Sequence, residues 1–213
     1  MSCCCPHSKS GGRIFSFFAR SYRRRFSRHG FEPSQQQLVH GLEQAGYKDA
    51  TLLEVGSGVG YLHQWLLEHG ARSATGIDLA PDMLKEAKDW AREKNLSDRT
   101  EYIQGDFIEL LDHVDPADVT ILDKVVCCYP HAELLVNHST AKTKRIYALT
   151  YPRKRWFIKV VIEIMAFFLK LSGSDFRAFV HDPEEIETWI LDAGFKKVYQ
   201  QQTFIWLTQI YTR

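Results

Sequence analysis

The feature that most narrows the fold is an apolar run at residues 50–55 that ends abruptly in Gly56-Ser57-Gly58-Val59-Gly60. A mixed apolar and polar stretch then starts at Tyr61. The first run reads as a buried strand closed by glycines, and the second as a helix. Glycines let such a β–α turn bend tightly and let a ligand approach the backbone, while the helix start offers unpaired N–H groups. From residue 50 onward strand and helix signals keep alternating, which predicts an α/β layered fold.

Strands are predicted over 50–55, 74–77, 100–104, 119–122, 145–150, 196–202 and 204–211. Helices are predicted over 61–68, 81–94, 131–138 and 156–171, and another from Asp182-Pro183-Glu184-Glu185, which offers an Asp cap, proline in the first turn and acids beside it. The last two strands read as an antiparallel hairpin on the sheet edge. Residues 13–46 read as helical, interrupted at Pro33-Ser34 and stopped by Gly46. Residues 1–12 are small, polar and cysteine-rich, and are expected to be mobile unless docked.

A length of 213 residues suits one domain, and 45% apolar with 25% charged residues is a globular balance. No run of about 18 uncharged apolar residues is present, so no transmembrane helix is expected. The apolar residues near the start (Ile14, Phe15, Phe17, Phe18) run straight into arginines, unlike a secretory signal. The net charge of +1 hides an asymmetry: residues 1–30 hold seven of the 27 basic groups and none of the 26 acidic ones. The remainder therefore carries 20 basic against 26 acidic groups, about −6. Such an arm can fold back on the acidic body, hold an anion, or touch nucleic acid or membrane; the aromatics among its arginines favour folding back, because they need burial. The cysteines fall in two runs, Cys3-Cys4-Cys5 and Cys127-Cys128. Adjacent cysteines do not make an ordinary disulfide framework, which predicts a reducing, cytoplasmic setting, and no zinc-type spacing is present, so no metal is expected.

Two acids fall in register with the glycine turn. Asp78 closes the second predicted strand, 18 residues past Gly60, where a carboxylate accepts hydrogen bonds from ribose hydroxyls. Gly105-Asp106-Phe107 closes the third, where an acid can bond an adenine amino group and an aromatic can pack on the ring. Ligands of open α/β sheets bind at these carboxyl ends. Tyr61 stands where a dinucleotide-binding turn wants its third glycine, and Glu54 before the turn would repel a diphosphate. Glu54 suits instead the aminoacyl end of S-adenosylmethionine (SAM), which has no pyrophosphate.

Residues 50–211 thus resemble a class I SAM-dependent methyltransferase. Residues 54–60 stand as its glycine motif, Ile77-Asp78-Leu79 as its acidic loop and Gly105-Asp106-Phe107 as its adenine motif. The resemblance implies a Rossmann-like seven-stranded sheet with a reversed last strand, plus an N-terminal helical arm. It divides the chain into 1–46, a cysteine-rich tail and basic helical lid, and 47–213, the methyltransferase domain. Expected cofactor contacts are Tyr22, Glu54, Gly56, Ser57, Gly58, Gly60, Asp78, Leu79, Met83, Gly105, Asp106, Phe107 and Asp123. Within the class, the segment 122–130 and the arm containing Tyr22 are similar to magnesium-protoporphyrin O-methyltransferases, which tend to carry a histidine where this chain has Cys128.

Methyl transfer is an in-line displacement that depends on positioning, and an acceptor other than a carboxylate must also lose a proton. The fold puts Asp123, Lys124, Cys127, Cys128, Tyr129, His131, Tyr151 and Arg153 near the acceptor. Of these His131 is the expected general base, with Tyr129 and Cys128 beside it. As a helix, residues 156–171 would gather Lys159, Glu163 and Lys170 on one narrow face and leave the rest apolar. That helix is packed inside, roofs an apolar acceptor pocket, or touches a membrane surface. The leading reading is a small-molecule methyltransferase whose basic arm closes as a lid, with no nucleic-acid partner. Two others remain: a thiol or metalloid methyltransferase using both cysteine runs, and a nucleic-acid-binding protein using the arginines at 20–28.

Overall fold

The central strands are nearly continuous apolar runs, as strands covered on both faces must be. In the computed structural model, which describes residues 6–171 and 173–213, seven strands form one sheet: β1 (Thr51–Val55), β2 (Ser73–Asp78), β3 (Thr100–Gln104), β4 (Ala117–Asp123), β5 (Thr143–Pro152), β6 (Lys196–Gln202) and β7 (Trp206–Thr212). Cys3-Cys4-Cys5 lies outside the described residues. The sheet order is β3-β2-β1-β4-β5-β7-β6. The strands β1 to β5 run parallel, whereas β7 is antiparallel to both β5 and β6. The expected reversed strand is therefore present. The hairpin does sit at the edge, but β7 is inserted inward and β6 forms the rim.

Side-chain alternation along β5 divides the core in two. Ile146 and Ala148 face α2 (Pro33–Ala45) and α3 (Tyr61–Glu68), where Leu38, Leu42, Leu62 and Leu66 are fully buried. Tyr147, Leu149 and Tyr151 face α5 (Ala132–Ala141) and α7 (Pro183–Asp192). Each buried leucine contributes about 1.5–3 kcal/mol of transfer free energy. Gly41 lets α2 lie close on the hairpin: a Cβ there would come within 2.6 Å of Ile210 and 2.7 Å of Tyr199. Asp182 caps α7, accepting a hydrogen bond from the Glu184 N–H at 3.1 Å.

The first helix departs from the sequence expectation. α1 spans Pro6–His29, so residues 6–12 extend the helix rather than precede it. It lies on α4 (Pro81–Glu93), with Ala19 buried against Val59, Ala80 and Met83. Arg23 bridges Glu86 at 3.2 Å and Glu93, and its guanidinium sits 5.4 Å from the Trp90 ring. The basic arm thus folds back on acidic α4, where Phe15 and Phe26 are half-buried, while Phe17, Phe18 and Tyr22 stay exposed, against the expectation that the arm's aromatics are buried. Gly11 and Gly12 are buried in this helix although glycine costs about 1 kcal/mol in a helix interior. A Cβ at Gly12 would press on the Leu79 carbonyl at 3.2 Å, and one at Gly11 on Phe176 at the same distance.

Candidate cofactor and acceptor site

The carboxyl ends of the parallel strands, roofed by α1 and the start of α2, enclose a cavity of about 370 Å³. The glycine turn forms its floor. Gly56, Gly58 and Gly60 all have positive φ, at 68°, 53° and 76°. A Cβ at Gly56 would strike Val125 at 2.3 Å, so the turn is pressed against the loop after β4. A Cβ at Gly58 would meet nothing within 4 Å, and this open backbone faces the cavity. Gly60 does not line the cavity: a Cβ there would press on His63 and Gln64, so it packs the start of α3 instead.

Asp78 ends β2 and braces two loops. Its Oδ2 accepts from the Gly58 N–H and its Oδ1 from the Ala80 N–H, both at 2.8 Å. Burial pushes this carboxyl above its ordinary pKa, and the two N–H groups oppose that shift. Leu79, Met83, Gly105, Asp106 and Phe107 line the same cavity. Asp106 accepts from the Ile108 N–H at 3.0 Å and from the Tyr129 hydroxyl. Tyr129 is therefore tied to the acid at the end of β3, and it too lines the cavity.

Glu54 is buried and turned toward His63, whose Nδ1 lies 2.5 Å from its Oε2. The other ring nitrogen of His63 meets the Tyr102 hydroxyl at 2.9 Å. The carboxylate is thereby fixed beneath the glycine turn while still lining the cavity. Asp123 ends β4 and is held from above. The Gln35 side-chain amide donates to Asp123 Oδ2 at 2.8 Å and to the Tyr61 hydroxyl at 2.6 Å. Asp123 Oδ1 is buried without a hydrogen-bond partner among the described residues, as is Ser57 Oγ. Burial raises the Asp123 carboxyl to about 7, against the pull of the Gln35 bond.

The charge of the cavity is uneven. Glu54, Asp78, Asp106 and Asp123 line it, together with Glu32 and the two cations Arg25 and Lys124. Both cations turn to Glu32: Arg25 at 3.3 Å and Lys124 as a close ion pair. The remaining carboxylates favour a cationic ligand and oppose a diphosphate. Orphaned Asp123 Oδ1, the open Gly58 backbone and this surplus of acid fit a SAM molecule.

Part of the lining is aromatic. Phe15 and Tyr22 from α1, Phe176 beyond α6 (Trp156–Leu171) and Trp206 at the start of β7 line the same cavity, as do Cys128 and Lys124. The Lys124 ammonium stands 5.0 Å from the Trp206 ring, and its backbone is left-handed at φ 61°. The tyrosine at position 22 has its phenol pKa raised, first by burial and then by the Cys128 thiol. Cys127 is buried behind Cys128, and the Cys128 thiol and burial together push its own thiol pKa up.

Four residues expected at the acceptor lie elsewhere. His131 is exposed at the cap of α5 and does not line the cavity. It sits one residue beyond Pro130, where the chain has already turned away from the opening. Tyr151 points into the opposite core, and its hydroxyl donates to Gln209 at 2.7 Å. Arg153 donates to the Thr203 carbonyl at 3.1 Å. Cys127 donates to the Lys124 carbonyl at 3.3 Å. Conversely, sequence reasoning overlooked Gln35, Glu32, Phe176 and Trp206. The helix start at Pro33-Ser34 pointed toward Gln35, whereas Phe176 and Trp206 arrive from distant segments that no local pattern connects.

Residues 52–147 match a family described as a methyltransferase domain. No curated protein matches the chain in sequence. Among solved structures, the chain is similar to magnesium protoporphyrin IX methyltransferase from Synechocystis PCC 6803 with bound SAH, at 20% identity and a TM-score of 0.71, over 94% of this chain and 98% of that one. The same enzyme with bound SAM gives 18% identity and a TM-score of 0.68, over 97% of each chain. An O-methyltransferase family 2 protein from Planctomyces limnophilus DSM 3776, in complex with apigenin, shares 22% identity and a TM-score of 0.65, over 92% of this chain and 61% of that one. At these identities the likeness establishes the fold.

Proposed function

We propose that this chain, whose residues 52–147 match a methyltransferase domain, is a class I, SAM-dependent methyltransferase that methylates a small, flat and largely apolar acceptor. The observation that carries this reading is the aromatic lining, where Phe15, Tyr22, Phe176 and Trp206 share one cavity with the acidic residues. Flat ligands pack well between such rings. The solved relatives with a protoporphyrin-methylating activity and with bound apigenin are in keeping with it.

Bound SAM supplies an electrophilic methyl group on a sulfonium sulfur. Asp78 holds the ribose hydroxyls, Asp106 and Phe107 the adenine, and Asp123 with Glu54 the ammonium of the aminoacyl end. Gly56, Ser57 and Gly58 pass beneath it, and Leu79 and Met83 pack its base. Tyr129, through Asp106, fixes the adenine acid rather than meeting the acceptor. Cys128 and Tyr22 face the acceptor, where Tyr22 orients it. His131 stands outside the cavity and supplies no proton relay there. The α1 helix acts as a lid that keeps water out. In this reading residues 6–29 form the lid, and α2 belongs with the domain proper, because its Leu38 and Leu42 are buried in the core.

Arg23 and Arg20 face Glu86 on α4, so this part of the arm is neutralised within the protein and favours a lid over a phosphate-binding surface. Adjacent Cys127 and Cys128 make no ordinary disulfide framework, which supports a reducing, cytoplasmic setting.

The test is calorimetric titration with SAM and SAH. Asp78→Ala removes two ribose contacts and the brace of two loops, so affinity is expected to fall by at least about a hundredfold, at roughly 1.5–3 kcal/mol per charge-assisted bond. Unchanged affinity in the variant would refute the assignment. Mass spectrometry of ligand co-purified with the protein then identifies the acceptor. A non-aromatic, charged ligand would count against a flat apolar substrate.

A further inference from the structure

The sequence leaves three settings open for the helix at Trp156–Leu171, and the structure rules out burial. Eight large apolar side chains on α6, from Trp156 through Ile164 and Phe168 to Leu171, are each 48–78% exposed, and among its described residues Ile158 alone is fully buried. At 100° per residue these eight occupy one continuous half of the helix. Lys159, Glu163 and Lys170 form a narrow stripe between that half and the inward side. An exposed apolar face of this size marks an interaction surface.

We propose that α6 docks this protein on the surface of an anionic lipid bilayer, lying in the interfacial plane with its exposed half among the acyl chains. Sixteen residues span about 24 Å, short of a hydrocarbon core of about 30 Å. Among the described residues no helix is long and apolar enough to cross a membrane. The charge agrees with a lipid surface: residues 153–177 carry six lysines and arginines, and although Lys154 pairs with Asp182 and Arg177 with Glu163, the balance stays basic around the helix. Lys159 and Lys170 stand at the edge of the apolar half, where their stems can lie along lipid while the ammonium groups reach phosphate. Trp156 opens the helix, and exposed Phe204 stacks on Phe157 at 5.0 Å, which extends the apolar surface onto the β6–β7 turn.

The helix also flanks the cavity at both ends. It follows β5, whose Pro152 pairs with cavity-lining Trp206, and it precedes cavity-lining Phe176, which meets Phe15 of α1 edge-on at 5.4 Å. Docking through α6 therefore brings the cavity wall that holds Phe176 and Trp206 close to the bilayer. Delivery of an apolar acceptor from the lipid rests on the methyl-transfer reading; the docking itself does not.

Flotation of the full chain with vesicles tests the docking. One set is phosphatidylcholine alone and another holds about one part in four phosphatidylglycerol. Wild-type protein is expected to float with the anionic vesicles, and less so when salt rises from about 0.1 M to about 0.5 M. The double variant Ile164→Asp, Phe168→Asp is expected to lose at least about tenfold in partitioning. SAM affinity, measured without vesicles, should stay at the wild-type value, which separates loss of docking from loss of fold and from failure of the cofactor reading. Absence of wild-type flotation, or equal flotation of the double variant, would overturn the proposal. So would a wild-type dimer in light scattering that the double variant converts to monomer, because a second copy would then cover the face.

Discussion

Asp123 concentrates the electrostatic consequence of the site in one side chain. Its carboxyl rests at about 7 in the folded protein, against about 4 in an unfolded chain. Below pH 7 the neutral form is thus favoured. Between pH 4 and pH 7 the unfolded chain has already released this proton while the folded one keeps it, so this group's contribution to stability falls as pH rises through that window. On the proposed reading, a ligand ammonium at orphaned Oδ1 reverses the preference and drives the proton off. Below pH 7, affinity for SAH should fall by about tenfold per pH unit, from one linked proton. Calorimetry in buffers of different ionisation enthalpy should show release of that proton. Asp123→Asn is expected to bind more weakly and with a flat profile; a persisting slope would assign the linkage to another group.

Among the elements, α1 lines the cavity, so on the proposed reading its attachment governs access. Its hold on the body is the Arg23 bridge to α4 and a stack of Phe26 on Tyr61, with ring centroids 4.7 Å apart and planes 7° from parallel. Tyr61 in turn accepts from Gln35, which holds Asp123. Phe26→Ala should cost about 2 kcal/mol of docking from lost area and ring contact. Amide exchange along α1 should quicken and SAH should leave faster; unchanged exchange would show that the helix is held elsewhere. The rest of this arrangement was unevenly legible in the sequence. The glycine turn, Asp78 and Asp106 were readable because each sits at a strand end marked by local pattern. The start of α1 at Pro6 was not, because Gly11-Gly12 signals a helix break locally and is justified only by close approach to Leu79 and Phe176. His131 misled because neutral-range chemistry says nothing of which way a turn faces. The helix α6 was readable as apolar, whereas its exposure depends on what the rest of the chain declines to cover.

At the scale of the whole molecule, the position of β7 governs how the sheet can be completed. It follows β6 in the chain but lies between β5 and β6, bonded to both. Until it arrives, β5 keeps an unpaired edge and β6 has no neighbour, so a growing polypeptide holds two incomplete borders during synthesis. Closing such distant pairings is slow relative to helix formation. Pulse-labelled refolding should find the amides of β5 and β6 protected in the same late phase, with β1 and β4 protected no later. Earlier protection of β6 than of β5 would mean that the β6–β7 hairpin closes before it docks on β5. The final hairpin is thus a keystone laid last, and the interval before it closes is when a chaperone would have most to shield.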